Sequence, residues 1–467
     1  MSTSTLSLIA HLMRRAGFGA TRDELEQYES RGYETIVEDL LHPERFPEIE
    51  EDVIDRYYPG ALQTQKHHVY NGAWLYRMVR TQRPLQEKMA LFWHQIFATG
   101  GSKVGNPNSM YRQIENFRSG GLRDLNTILT ELSKDPAMIY WLDNSENLKG
   151  EPNENYGREL LELFSMGVGN YTEEDIKMVS RAFTGWTFVQ PIPVYPHGSY
   201  DTKFEYQEEN HDDGLKTFLD ETGRFNGEDI IDIIVKQPAT AKFIARHLYN
   251  FFVADEPPVN SWSKTPPQDP EAIDTLVQAY FDYNGDIRSI LRVLFNSDFF
   301  KEARAKRVKS PTELVAGTLK MVGMPEVPPN HLADLHHSLT LMGQELQNPP
   351  TVEGWQTGKG WIDSGTLNER VNFAVDEVSD ATKPGIQNII SRLTTEGASL
   401  SPEDFVDRCL ELAGSLTVSD ETRNSLLEYA RPLGTFDLSI QADRQESVSR
   451  VVRMLQLIVS SREYQFA

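Results

Sequence analysis

The chain holds one cysteine, Cys409, in 467 residues, which excludes an intramolecular disulfide and a thiolate zinc cluster. Basic residues are also scarce: 46 Lys and Arg stand against 69 Asp and Glu, for a net charge of −23. Nucleic acid is therefore disfavoured as a partner, because phosphate backbones are bound by clustered Lys and Arg. An anionic membrane surface is disfavoured for the same reason. Long apolar runs are missing, and no stretch approaches the ~18 apolar residues needed to span a bilayer. The opening segment MSTSTLSLIAHLMRRAGFG has too short an apolar run for a secretory signal, and its charges follow that run. The expected location is the cytoplasm. Also lacking are a nucleophile elbow, a Walker motif, a dinucleotide fingerprint and HExxH, as well as any repeat of fixed period.

What is present argues for a folded helical protein. Hydrophobic residues make up 39% and charged residues 25%, enough for a substantial core. The expected fold is all-α, a large multi-helix array with a small β-hairpin insertion near residues 187–218. Within it, Thr187–Val189 is expected to pair with Phe204–Gln207. Thr21 and Glu24 form a capping box that starts one helix, and Pro84 opens another, PLQEKMALFWHQIFA. The proline-rich connection Pro257–Pro270 separates an N-terminal helical region, 1–256, from a C-terminal one, 271–467, unless the two form one continuous domain.

The most informative stretch is NENYGRELLELFSMGVGNYTEEDIKMVSRAFTGW, Asn153–Trp186. At about 100° per residue from Glu159, Glu162 falls near 300° and Met166 near 340°, with Leu160, Leu161 and Phe164 covering most of the rest. A helix apolar almost all round is normally buried, and carboxylates are rarely buried without a partner. One set of partners would make a metal site of the kind built in helical bundles from inward carboxylates and histidines. Its ligands would be Glu159, Glu162, His94 and Glu87, with His211 and Asp212 from the HDDGLK loop. Glu87 and His94, seven apart, share one helix face. Arginines are the other set, and the favoured one: Arg158 pairing with Glu162 at i,i+4, and Arg14, Arg15 or Arg181 meeting Glu159.

Three further stretches are candidates. Counting from Asp143, residues Ser145, Asn147 and Glu154 fall at positions 3, 5 and 12 of an EF-hand-like calcium loop, but Leu148 stands where the turn requires glycine. His211-Asp212 can act as an acid–base pair, whereas Asp212 with Gly214 can simply make a turn. Trp355 and Trp361, in a Gly-rich loop, suit either a binding surface or the fastening of that loop to the helical body.

Seven segments together resemble the bacterial domain-of-unknown-function family numbered 1800. They are HLMRRAGFGAT (11–21), KMALFWHQIFATG (88–100), NENYGRELLELFSMGVGNYTEEDI (153–176), RAFTGW (181–186), HDDGLK (211–216), KSPTELV (309–315) and GQELQNPPTVEGWQTGKGW (343–361). The resemblance implies a large, mostly helical bacterial protein of unestablished activity, and many similar proteins are exported. Ile96 stands where many members carry a second histidine, which weakens a two-histidine metal site on that helix. The expectation is thus a structural or binding protein with buried Glu–Arg pairs and an unidentified protein partner. The alternative is an enzyme dependent on non-haem iron, manganese or calcium.

Overall fold

Capping chemistry sets where the helices begin. In the computed structural model, which describes residues 5–50, 52–58, 66–190, 202–257, 262, 264–329, 332–395, 399–436 and 444–467, the Thr21 hydroxyl accepts from the Glu24 amide. Glu24 Oε2 returns the bond to the Thr21 amide at 2.7 Å, opening the helix Arg22–Arg31. Ser310 and Glu313 do the same for Pro311–Val322. Pro84 occupies the first position of Pro84–Ile96, where its missing N–H costs nothing.

The described chain is predominantly helical, as the residue pattern indicates. Two small antiparallel sheets are the exception. Strand β1 (Trp186–Val189) pairs with β2 (Lys203–Tyr206), with Thr187 opposite Glu205 and Phe188 opposite Phe204. This is the anticipated hairpin; the segment 191–201 that joins its strands lies outside the described residues. Strands β3 (Lys216–Phe218) and β4 (Glu221–Gly223) form a second hairpin that alternation did not reveal, because each strand is only three residues long.

A hydrophobic core runs through helices drawn from both sides of 257–270. Buried polar links tie the helices together, and one of them, Lys88–Glu313, joins the two sides of that span. Arg15 Nε and Nη2 donate to the carbonyls of Phe252 and Phe251, at the C-terminal end of the helix Pro238–Phe252, where a cation complements the helix dipole. Lys88 Nζ lies 2.5 Å from Glu313 Oε1, and Arg307 Nη1 lies 2.5 Å from Glu313 Oε2. Residues 258–261 and 263 of the expected connection lie outside the described residues. Among the described residues no helix is long and apolar enough to cross a membrane.

Candidate functional site

The central helix is short, Asn155–Glu162. Tyr156, Leu160 and Leu161 are buried on one side, whereas Arg158, Glu159 and Glu162 are half-buried on the other. Gly157 lets this helix approach Glu173–Ala182 closely, since a Cβ there would meet Ser180 Oγ at 2.5 Å. The chain then leaves helical geometry. The amides of Met166 and Gly167 both bond to the Leu161 carbonyl, and Gly167 takes φ +79°, which ends the turn. The wheel carried through Met166 therefore overstated how apolar the carboxylate face is.

The arginines expected to neutralise Glu159 and Glu162 go elsewhere. Arg158 reaches Glu154 at 3.2 Å and Glu173 at 2.9 Å, because those carboxylates lie along its own face of the helix pair. Arg181 holds Asp212 through two bonds, 2.7 and 3.2 Å. Arg14 donates to the Gly414 carbonyl, and Arg15 to the carbonyls of Phe251 and Phe252. Glu162 instead accepts from the Tyr171 hydroxyl at 3.0 Å. The Glu159 carboxyl is pushed above its ordinary range by partial burial and by the charge of Glu162, with Arg158 opposing. Buried Glu–Arg pairs do exist among the described residues, but they are Glu87 with Arg118 and Arg77, Glu256–Arg246 and Glu313–Arg307.

The other sequence candidates occupy separate environments. Glu87 is buried, accepting from Arg118 Nε at 2.7 Å and from the Trp74 indole at 2.9 Å. His94 does share that face, its ring 5.9 Å from the Trp74 ring. His94 Nε2 accepts from the Gln347 amide at 3.0 Å, which places the proton on Nδ1. Burial pushes His94 down to about 3, so the ring is neutral. The buried His211 has Nδ1 3.0 Å from the Thr184 carbonyl, and the Tyr206 ring covers it. Asp212 Oδ1 accepts from the Gly214 amide at 2.8 Å, so the turn reading describes this loop. In the calcium-like loop, Asp143 takes Lys103 at 2.7 Å and Glu154 takes Arg158. The Asn147 side-chain oxygen is turned inward onto the Asn153 amide, and Ser145 lies within a 3₁₀ turn, Asn144–Glu146. Among the described residues, no group of three or more His, Cys, Asp or Glu side chains is placed to hold a metal ion.

What the fold builds beside the central helix is a cleft of about 660 Å³. Glu162, Glu353, Lys242, His247, Trp262 and Trp355 line it, contributed by the 162–170 turn, the helix Pro238–Phe252, the connection that follows it and the Gly/Trp loop. His247 is held between Phe243 and Trp262, with ring centroids 4.3 and 4.8 Å away. Burial, and secondarily Arg246, push His247 down to about 3, leaving a neutral imidazole. Arg246 braces Trp262. Its guanidinium lies 4.9 Å from that ring and donates to Glu256 and to the Trp262 and Thr265 carbonyls. Trp355 is buried with its ring centroid 5.1 Å from that of His94 and the planes steeply inclined, so His94 supports the cleft wall from behind. Trp361 does not line the cleft; it is buried in a small cluster with Val308 and Trp355. Both tryptophans fasten the loop; Trp355 also faces the cleft.

Neither Glu162 nor Glu353 has a cationic partner within ion-pair distance among the described residues, in contrast to most carboxylates of the buried core. Lys242, His247, Trp262 and Glu353 were not anticipated. The helix reading ATAKFIARHLYNFFV held a signal, since His247 interrupts an apolar run.

The model of a family described as "Protein of unknown function (DUF1800)" matches residues 11–466. No curated protein and no solved structure matches the chain.

Proposed function

The chain belongs to the DUF1800 family, and we propose that it is a ligand-binding protein whose cleft beside Glu162 receives a small organic cation. The observation that carries this reading is the pairing of unneutralised carboxylates with aromatic walls. Glu162 and Glu353 present negative charge, and Trp262, Trp355 and Phe243 present ring surface in the same cleft; Lys242 and Arg246 also line it, Arg246 being paired with Glu256. Ring faces and carboxylates attract a cation by the same electrostatic sign. The volume, about 660 Å³, falls within the roughly 300–1,000 Å³ of small-molecule sites. His247, neutral and half-buried, adds a hydrogen-bonding group without adding positive charge. The net charge of −23 favours approach of a cation.

Tryptophan fluorescence titrated with choline, spermidine and agmatine tests this, with glucose as a neutral control. At least one cation is expected to give a saturable change that weakens as salt rises. Glu162→Gln is expected to weaken it about fivefold, the scale of ~1 kcal/mol for a half-exposed charge pair. Equal binding of glucose, or no saturable response to any of the cations, would overturn the proposal.

A further inference from the structure

A second cavity, of about 310 Å³, lies between the helices Thr5–Ala16, Pro311–Val322 and Pro384–Thr395, remote in sequence from the cleft-lining segments. Its polar wall is Arg14, Lys309 and Glu313; its apolar wall includes Phe18, Met321, Ile389 and Leu416. We propose that this cavity binds a small organic anion, the charged head between Lys309 and Arg14 and the apolar body along Met321 and Leu416.

The argument is an imbalance of buried charge. Glu313 is already saturated, taking Lys88 on Oε1 and Arg307 with the Ser310 amide on Oε2. That leaves Lys309 and Arg14 without a carboxylate at ion-pair distance among the described residues. Lys309 is 8% exposed and donates only to the Tyr464 carbonyl at 2.8 Å, over the Tyr464 ring. Arg14 donates to the Gly414 carbonyl at 2.7 Å. Behind them, Arg370 spends Nε on Gln465 and Nη2 on the Lys309 carbonyl, and its buried Nη1 has no partner. Buried Arg15 likewise has a Nη1 without a partner. Carbonyl dipoles supply only part of the counter-charge that buried cations require.

The other titratable groups around the cavity do not close the gap. At the rim Asp23 is taken by Arg392, and Lys320 by Glu24. Asp255, near Arg15 and Arg307, is itself pushed up by burial and accepts from the Val308 amide. Burial, then Arg14 and Arg370, push Lys309 down to about 7, the behaviour of an ammonium that lacks an anion. The overall negative charge of the protein does not forbid an anion here, because charges beyond about 8 Å are screened at physiological salt.

Calorimetric titration of the full chain with phenyl phosphate tests the proposal, with benzyl alcohol as a neutral probe of similar shape. Saturable binding of phenyl phosphate is expected, with proton uptake at pH 8 as Lys309 is recharged. The uptake appears as a dependence of the measured heat on buffer ionisation enthalpy. Lys309→Met and Arg14→Met are each expected to weaken binding roughly tenfold or more, the scale of one hydrogen bond to a charged group. Should Lys309→Met fail to fold, Arg14→Met decides, since Arg14 is only half-buried. Three results overturn the proposal: no saturable binding, equal binding of benzyl alcohol, or affinity unchanged in the variants that fold.

Discussion

Glu313 is a position at which a one-atom substitution is expected to be costly, because two buried cations share its carboxylate. The residue is 4% exposed and accepts from Lys88 Nζ, Arg307 Nη1 and the Ser310 amide. Glu313→Gln keeps the shape and one acceptor oxygen but removes the charge, leaving two buried cations facing an amide. Breaking a buried ion pair from one side costs about 3–5 kcal/mol. Unfolding entropy of about 2.1 cal/mol/K per residue over 467 residues amounts to about 1 kcal/mol/K. For one cooperative transition, the expected fall in Tm by scanning calorimetry at pH 7.5 is thus about 3–5 °C. Against a large burial penalty, the neighbouring cations hold the folded-state Glu313 well below the ordinary carboxylate range. A depressed carboxylate contributes its stability above the unfolded pKa and loses it as pH falls. The gap between wild type and variant should therefore hold steady above about pH 5.5 and shrink below about 4.5. Adding Lys88→Met to Glu313→Gln should cost about 1–3 kcal/mol less than the sum of the single changes. A Tm loss under about 1 °C, or strict additivity, would refute the assignment of Glu313 as a charge hub.

Other expectations follow from the central helix and its neighbours. Gly157→Ala should destabilise by about 1–3 kcal/mol through overpacking against Ser180, and adding Ser180→Ala should recover part of that loss in urea denaturation. Glu162→Gln should lower the pKa of Glu159, because the charge of Glu162 helps to hold it up; carboxyl-carbon NMR titration reads this, and an unchanged or rising value contradicts it. Arg181→Lys replaces a two-bond grip on a partly exposed Asp212 with a point charge. The cost should be no more than about 1 kcal/mol, seen as faster hydrogen exchange confined to the 211–216 loop.

Local chemistry was the legible part of this sequence. The Thr21–Glu24 box, Pro84 as a helix opener, the β1–β2 pairing and the Asp212–Gly214 turn each depend on residues close in sequence or on strand alternation. The partners of Glu159 and Glu162 were not legible. A helical wheel gives relative direction but not where the helix stops, and this one stops at Glu162. It also cannot say which of several arginines has a nearer acceptor; Arg158, Arg181, Arg14 and Arg15 all had one. The cationic cavity went unseen because its polar wall sits at 14, 309 and 313, with Arg370 behind Lys309. A signal was nonetheless present, since Lys88 stands inside an otherwise strongly apolar helix and is fully buried.

The pairing of Lys88 with Glu313 spans 225 positions along the chain. During synthesis, the helix Pro84–Ile96 leaves the ribosome long before the carboxylate that will neutralise it. At roughly 5–20 residues per second, the wait is about 10–45 seconds. Over that interval burial of Lys88 would leave its ammonium with the Gly17 carbonyl but without Glu313, which disfavours early closure of the N-terminal core around it. Docking of Pro311–Val322 then delivers Glu313 to Lys88, and an N-terminal fragment ending before that helix should be more sensitive to proteolysis than the full chain.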